Sequence, residues 1–117
     1  MPARRSPERD LQLEVIRLAR LFGWRVYYIP DWMYRLAMAS MKRTRRADRD
    51  WPDKGFPDLV LVKPPHFILA ELKAGRNKPS EEQVQWHKDL RTCGVTVYVW
   101  NEASMDEIIS ILARQQT

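Results

Sequence analysis

Two carboxylates and one ammonium group flank a pair of short apolar runs in the middle of the chain. Asp58 precedes the run 59–62, while Glu71 and Lys73 follow the run 67–70. Each run has the length and apolar character of a strand that is buried on both faces. Two such strands in succession predict a β-hairpin that brings the charged residues to one end of a strand pair.

The register of this hairpin decides whether the charged side chains meet. Pro64-Pro65 lies between the two runs, and centring the turn there places Asp58 directly across from Glu71. Residues directly opposite have Cβ atoms roughly 4.5–5.5 Å apart, and the two-residue period of a strand puts Lys73 on the same face. Proline cannot supply the positive φ angles of a two-residue hairpin turn, so we expect a wider loop and one or two residues of freedom in the register.

The proximity of Asp58 and Glu71 creates an electrostatic problem that a metal ion would solve. Two close carboxylates repel each other unless a cation neutralises them or one of them binds a proton. A divalent, oxygen-preferring ion is the usual solution. A turn Asp and a Glu-x-Lys at a strand end also occur as plain solvated charges, and that interpretation stays open. Four apolar residues directly before Glu71 favour the metal site, because a purely structural strand end would more simply carry a Gly or Asn turn.

A third carboxylate, Glu14, lies at the edge of the apolar stripe of a predicted first helix. Ser6 is the N-cap of this helix and Pro7 is its first residue. The stripe consists of Leu11, Val15, Leu18 and Phe22. Because burial of an unpaired carboxylate is unfavourable, Glu14 needs either a metal ion or an ion pair with Arg17 or Arg20.

Four motifs together form a recognisable pattern. They are Glu14, Gly-Phe-Pro-Asp at 55–58, Glu-Leu-Lys-Ala-Gly at 71–75, and Ser-Glu-Glu-Gln at 80–83 with Trp86 and Gly94 after it. This pattern resembles the virus-type replication-repair nuclease (VRR-NUC) domain, a branch of the PD-(D/E)xK restriction-endonuclease-like superfamily. The resemblance extends from about residue 10 to residue 112. Stand-alone domains of this kind are frequent in bacteriophages, so the resemblance implies a phage origin.

The resemblance implies a metal site made of acidic side chains. Asp58 and Glu71 would bind Mg²⁺ or Mn²⁺, with the backbone carbonyl of Leu72 as a further ligand. Glu14 would complete the site directly or through water. Phosphodiester hydrolysis needs an activated water and an offset for the charge that builds on phosphate oxygens, and a carboxylate-held metal ion supplies both.

Lys73 and Gln83 complete the active site that the resemblance implies. Lys73 would orient or deprotonate the attacking water and stabilise the charged transition state, and Gln83 would lie near it. The spacing of Ser80 and Gln83 also predicts a capping box at the start of a helix. Both roles are compatible if that helix begins beside the active site.

The net charge of +5 is concentrated in two segments. One lies at the N-terminus, and the other precedes the Gly-Phe-Pro-Asp motif and consists of Lys42, Arg43, Arg45, Arg46 and Arg49. Clustered cations indicate a polyanionic partner, and we expect the second cluster to bind DNA phosphates. A merely solvated basic loop remains the alternative.

The remaining patterns predict an α/β fold, a mixed four-stranded sheet flanked by helices in the order α-β-β-β-α-β-α. The restriction-endonuclease-like core that the resemblance implies has the same order. Helices are expected at 7–22, 81–92 and 104–114, and strands at 24–29, 59–62, 67–70 and 95–100. The last two strands enclose a helix and should be parallel.

We also predict the environment of several side chains outside the predicted metal site. We expect Trp86 and Leu90 in the core and His87 on the helix surface. A basic insertion at about 31–54 contains a possible short helix at 32–41 and then a mobile loop. Its aromatics Trp32 and Tyr34, like Trp51, could stack on unpaired bases or pack in the core or a dimer contact, and for Trp51 we favour the core.

Length and composition predict one domain over 1–117. A lone cysteine and the lack of a long apolar run indicate a cytoplasmic protein, in the host cell if phage-encoded, with no membrane partner. The predicted function is a Mg²⁺- or Mn²⁺-dependent DNA endonuclease that selects Holliday junctions, flaps or other branched DNA and acts as a homodimer. The alternatives are an inactive nuclease-fold DNA-binding module and a basic DNA-binding adaptor.

Overall fold

A computed structural model describes residues 6–44 and 53–114 of the chain. Within these ranges the elements are α1 (Pro7–Leu21), β1 (Arg25–Tyr27), α2 (Asp31–Thr44), β2 (Leu59–Lys63), β3 (His66–Leu72), α3 (Glu81–Thr92), β4 (Thr96–Trp100) and α4 (Met105–Leu112). The predicted order is confirmed, with α2 added between β1 and β2. This added helix is longer than the possible helix at 32–41.

The four strands form one mixed sheet in the order β1-β2-β3-β4. The pairs β1–β2 and β2–β3 are antiparallel, whereas β3 and β4 are parallel. Val60 pairs with Leu69 and Leu59 pairs with Ala70, as the hairpin centred on the two prolines requires. The same register, continued by one residue, sets Asp58 across from Glu71.

The turn of the hairpin is tighter than the prolines led us to expect. Lys63 pairs with His66, so only Pro64 and Pro65 lie between the strands. The peptide bond that joins the two prolines is cis, which is the geometry of a type VI turn. The expectation of a wider loop, based on turns with positive φ angles, was wrong for this reason.

Helices α1 and α4 cover one face of the sheet and enclose the main hydrophobic core. Leu11, Val15 and Leu18 of the predicted stripe are buried in this core. The hydroxyl of Ser6 caps α1 by accepting the Arg9 amide at 3.1 Å. The indole of Trp24 donates to the carbonyl of Leu112 at 2.8 Å and ties the end of α4 to the start of β1.

Helix α3 covers the opposite face of the sheet. Ile68, Ala70 and Leu72 of β3 belong to the main core, whereas the alternate residues Leu69 and Glu71 are buried outside it. The two-residue period of the strand therefore turns Asp58, Glu71 and Lys73 toward the α3 side.

The face that α3 presents to the sheet differs from the sequence prediction. His87, expected on the surface, is only 3% exposed. It follows Gln83 by four residues and so lies on the same face of the helix. Trp86 and Leu90, expected in the core, are half-buried and outside the main core cluster. Within the two described ranges, no helix combines the length and apolar character needed to cross a bilayer.

Candidate active site

The Gly-Phe-Pro-Asp motif forms a loop that packs against the first turn of α3. Gly55 has φ of +102°, and a Cβ atom at this position would lie 2.7 Å from the carbonyl carbon of Glu82 and 2.8 Å from the amide nitrogen of Gln83. Both the backbone conformation and the close approach exclude a side chain. Glycine therefore allows the loop to reach α3, and this contact brings Asp58 near Gln83.

Aromatic contacts hold the same loop in place. The Phe56 ring meets the Trp86 ring edge to face, with the centroids 5.1 Å apart and the planes at 86°. The Trp86 indole donates to the carbonyl of Lys54 at 2.9 Å. Pro57 is buried. Trp86 thus stabilises the motif loop rather than the core beneath the sheet.

Asp58 is linked to the strand that carries the second carboxylate. Its Oδ2 atom accepts the backbone N–H of Leu72 at 2.8 Å, across the open end of the hairpin. This hydrogen bond fixes the Asp58 carboxylate beside Glu71. The predicted proximity of the two acids is therefore confirmed by the strand register and by this contact.

Glu71 is the central group of the site and is completely buried. Its Oε2 atom accepts the side-chain N–H of Gln83 at 2.9 Å. Burial raises the pKa of Glu71 to about 9, with hydrogen bonding to Asp58 and the negative charge of Asp58 as the next causes. The positive charge of Lys73 opposes this rise in pKa, and Glu8 adds to it. Without a cation, Glu71 is thus a protonated acid at neutral pH.

The Gln83 side chain takes part in the predicted capping box and also contacts Glu71. Its Oε1 atom accepts the Ser80 amide at 2.8 Å, and the Ser80 hydroxyl accepts the Gln83 amide at 3.2 Å, which completes the capping box. Its Nε2 atom donates to Glu71. One amide group therefore caps α3 and holds the central carboxylate.

A histidine that the sequence analysis placed on the surface faces the same carboxylate. The Nε2 atom of His87 lies 3.6 Å from Oε1 of Glu71. Both atoms are buried and lack a hydrogen-bond partner among the residues that the structure describes. Burial, followed by the positive charge of Arg91, lowers the pKa of His87, which favours the neutral form of the ring. Its position four residues after Gln83 could have predicted that it shares a helix face with Gln83 and so lies near the site.

Lys73 lies where the alternation of β3 predicted. Its side chain is half-buried, and its positive charge favours the ionised form of Glu71. Its backbone N–H donates to the carbonyl of Trp100 at 3.0 Å, which continues the pairing with β4 beyond the strand end. The backbone of Lys73 is thereby held at the end of the sheet, two residues after Glu71.

Comparison with known proteins identifies the fold that carries this site. No protein-family model and no curated protein matches the chain. A solved structure described as a VRR_NUC domain matches with a TM-score of 0.66 and 19% identity, over 91% of this chain and 97% of that one. A VRR_NUC domain protein matches with a TM-score of 0.61 and 18% identity, over 94% and 88% of the two chains. This chain has the VRR-NUC fold.

The resemblance drawn from the four motifs is therefore confirmed at the level of the VRR-NUC fold. A third structure, the Holliday junction resolvase Hjc of Archaeoglobus fulgidus, matches with a TM-score of 0.43 and 17% identity over 81% of this chain and 63% of that chain.

Glu14 does not lie with the other motif residues of the VRR-NUC pattern. Its carboxylate accepts hydrogen bonds from the Arg17 guanidinium at 2.6 and 3.1 Å, and its side chain is 43% exposed. The hydrogen bond with Arg17 lowers the pKa of Glu14. This ion pair is the alternative that the sequence left open. The metal-binding role implied for Glu14 remains a prediction that the position of its side chain does not support.

Glu8 is the α1 carboxylate that acts on Glu71. Its charge raises the pKa of Glu71, and it lines the same cleft as Asp58, whereas Glu14 lines a separate depression beside Met105. Glu14 follows Glu8 by six residues, which is about 9 Å along a helix and about 120° around its axis. That displacement separates Glu14 from the cleft.

Of the five basic residues predicted to bind DNA, two lie in α2 and three lie outside the described residues. Lys42 is exposed on α2, and Arg43 lies in the same helix. Arg45, Arg46 and Arg49 lie outside the described residues, as does Trp51. The arginines that line the cleft are instead Arg9, Arg35 and Arg76. Arg76 directly follows the Glu-Leu-Lys-Ala-Gly motif, which was a signal for its position.

The cleft carries oxygen donors that suit a hard divalent cation. Asp58 and Glu71 lie side by side, and the positive charge of Lys73 does not offset the rise in the pKa of Glu71. The buried Oε1 atom of Glu71 has no hydrogen-bond partner among the described residues. A divalent ion would displace the proton and balance both charges. Across 6–44 and 53–114, no group of three or more His, Cys, Asp or Glu side chains could hold a metal ion. Two carboxylates agree with Mg²⁺, which binds few protein ligands and keeps several waters.

Proposed function

We propose that this chain is a metal-dependent endonuclease that hydrolyses DNA phosphodiester bonds. The observation that carries the proposal is the fully buried Glu71 carboxyl, set beside Asp58 and held by Gln83 at 2.9 Å. Burial of Glu71 next to Asp58 disfavours the ionised form of Glu71 unless a cation joins the two acids. A module that only binds DNA does not need this arrangement, whereas a carboxylate-held metal ion supplies the nucleophile and the charge stabilisation for phosphodiester hydrolysis.

In this proposal Asp58 and Glu71 would hold Mg²⁺ or Mn²⁺, and the Leu72 carbonyl would be a further ligand. The ion would make a bound water nucleophilic at neutral pH and neutralise charge on the phosphate. Asp58 is suited to this task because the Leu72 amide already orients its carboxylate. Gln83 holds the Glu71 carboxylate through a hydrogen bond from its side-chain amide.

Lys73 acts on the reacting phosphate or on the attacking water. Its position one strand period beyond Glu71 places an ammonium group on the same face as the acids. A fixed positive charge in a partly buried site stabilises negative charge that develops during hydrolysis. This role is distinct from metal binding, so the two functions can be separated by substitution.

Cleavage assays test the proposal directly. We expect nicking or cutting of plasmid and synthetic branched DNA with Mg²⁺ or Mn²⁺, and none with EDTA. Glu71→Gln and Asp58→Asn should abolish cutting while DNA binding persists. Glu14→Gln is the matched control, because it makes the same change on the exposed side of α1, and it should retain activity. Cleavage in EDTA, or full activity of Glu71→Gln, would exclude the mechanism.

The proposal also includes a preference for branched DNA, which rests on the family resemblance. We propose that flaps, branched DNA or four-way junctions are cut in preference to linear duplex, in phage replication, repair or recombination. Symmetric cutting of a four-way junction needs two active sites, which a homodimer supplies. Cleavage rates on matched linear, flapped and four-way substrates, together with sedimentation analysis of the mass in solution, test both points.

A further inference from the structure

We infer that the cleft beside Asp58 contains a stacking subsite for an unpaired nucleobase, with Phe56 and Trp32 as its walls. The inference rests on the proposed function and names the DNA feature that the site would select. The two aromatic residues come from separate segments, the motif loop and the start of α2, and both line the cleft that contains Asp58 and Gln83.

Phe56 is an exposed aromatic residue that is held rigidly. Its side chain is 45% exposed, although its ring packs against the Trp86 ring. The loop that carries it is fixed by the Gly55 contact with α3 and by the hydrogen bond between Trp86 and Lys54. Phe56 precedes Asp58 by two residues. A rigid, open aromatic surface next to a catalytic carboxylate is suited to position a substrate group.

The beginning of α2 supplies a second aromatic surface in the same cleft. Trp32 is 64% exposed, and Ile29 and Tyr34 also line the cleft. The carbonyl of Pro30 accepts the amides of Met33 and Tyr34 at 3.0 and 3.1 Å, which starts the helix at this point. The segment that the sequence analysis treated as an insertion thus contributes aromatic residues to the active-site cleft.

Cationic side chains in the cleft favour a nucleic acid as the occupant. Arg9, Arg35 and Arg76 line it together with the aromatic residues and with the acids Glu8, Asp58 and Glu102. A guanidinium group can pair with a phosphate next to a stacked base. The cleft volume is about 1340 Å³, larger than the roughly 300–1,000 Å³ of small-molecule sites. A second copy of the chain is a less suitable occupant, because a copy bound over Phe56 and Trp32 would also cover Asp58 in the same cleft.

Only an unpaired base can use such a surface. Bases in a duplex stack on their neighbours, whereas a flap, a single strand or a junction end exposes the face of a base to an aromatic ring. Stacking of this kind depends little on base identity, and loss of one aromatic partner lowers affinity about 5- to 150-fold. The subsite would therefore direct cleavage to DNA with unpaired nucleotides, irrespective of sequence.

Binding assays in EDTA test the subsite without requiring catalysis. Fluorescence anisotropy would compare Phe56→Ala, Phe56→Trp and the wild type on a labelled single strand, a flapped duplex and a fully paired duplex. Phe67→Ala is the matched control, because Phe67 is 47% exposed but does not line the cleft. Circular dichroism would verify folding, and Trp32→Ala gives an independent variant if Phe56→Ala is unfolded.

We expect Phe56→Ala to lose about 5- to 150-fold in affinity for the single strand and the flap, less than twofold for the paired duplex, and Phe56→Trp to restore binding. Equal losses on all three substrates, or an equal effect of Phe67→Ala, would overturn the subsite. A change of mass in sedimentation without selective loss of DNA binding would also overturn it and assign the wall to a second copy.

The two proposals can fail separately. Selective, Phe56-dependent binding of unpaired DNA without cleavage in Mg²⁺ or Mn²⁺ would support the subsite and exclude the nuclease. Cleavage that is unchanged in selectivity by Phe56→Ala and Trp32→Ala would support the nuclease and exclude the subsite.

Discussion

Replacement of Glu71 by glutamine should stabilise the metal-free protein, increasingly so as the pH rises. The pKa of Glu71 is about 9 in the folded state, compared with an ordinary value of 4.5. Between these two values the folded protein holds a proton that the unfolded chain releases. The free energy of unfolding therefore falls with rising pH. Glutamine has nearly the same shape and cannot ionise, so Glu71→Gln is free of this penalty.

The size of the effect follows from the pKa difference. Each pH unit above 4.5 removes about 1.4 kcal/mol from the stability of the wild type. At pH 7 the variant should therefore be more stable by a free energy on the order of 3 kcal/mol. The advantage stops growing once the pH exceeds the folded-state pKa of about 9, because both states are then ionised.

Urea unfolding in EDTA, followed by tryptophan fluorescence at several pH values from 5 to 9, measures this difference. Glu14→Gln is the matched control: its carboxylate is paired with Arg17 and its pKa is lowered, so its effect on stability should not vary over this range. Addition of Mg²⁺ or Mn²⁺ should stabilise the wild type and not Glu71→Gln. A stability difference between Glu71→Gln and wild type that is independent of pH would refute the reasoning.

Three further predictions concern residues around this carboxyl. Gly55→Ala should lower the free energy of unfolding by more than about 1 kcal/mol, measured in urea, whereas Gly75→Ala should cost less, because nothing lies within 4 Å of a Cβ atom there. His87→Phe keeps an aromatic ring but removes the nitrogen that faces Glu71, so Mn²⁺ affinity measured by titration calorimetry should fall about 10- to 100-fold; an unchanged affinity would leave His87 without a role at the site. Lys73→Met should reduce the cleavage rate by about 10²–10⁴ with little change in Mn²⁺ affinity, and a large loss of metal binding would contradict the separate roles.

Local patterns in the sequence were sufficient to predict the parts of the site that neighbouring residues build. The pairing of Asp58 with Glu71 follows from two apolar runs and the period of a strand, and the same period places Lys73 on their face. The capping box of Ser80 and Gln83 is a four-residue motif whose geometry the helix start dictates. These features depend on backbone periodicity, which a short stretch of sequence determines.

The contacts between distant segments were decided only by tertiary structure. The burial of His87 against Glu71 depends on how α3 lies on the sheet, and the choice of Glu8 over Glu14 depends on where α1 passes the cleft. The role of Gly55 appears only when its loop meets the first turn of α3. Helical periodicity defines which residues share a face, but not which face meets which partner. That choice is made by packing of the whole core, where small shifts of one element change every contact it makes.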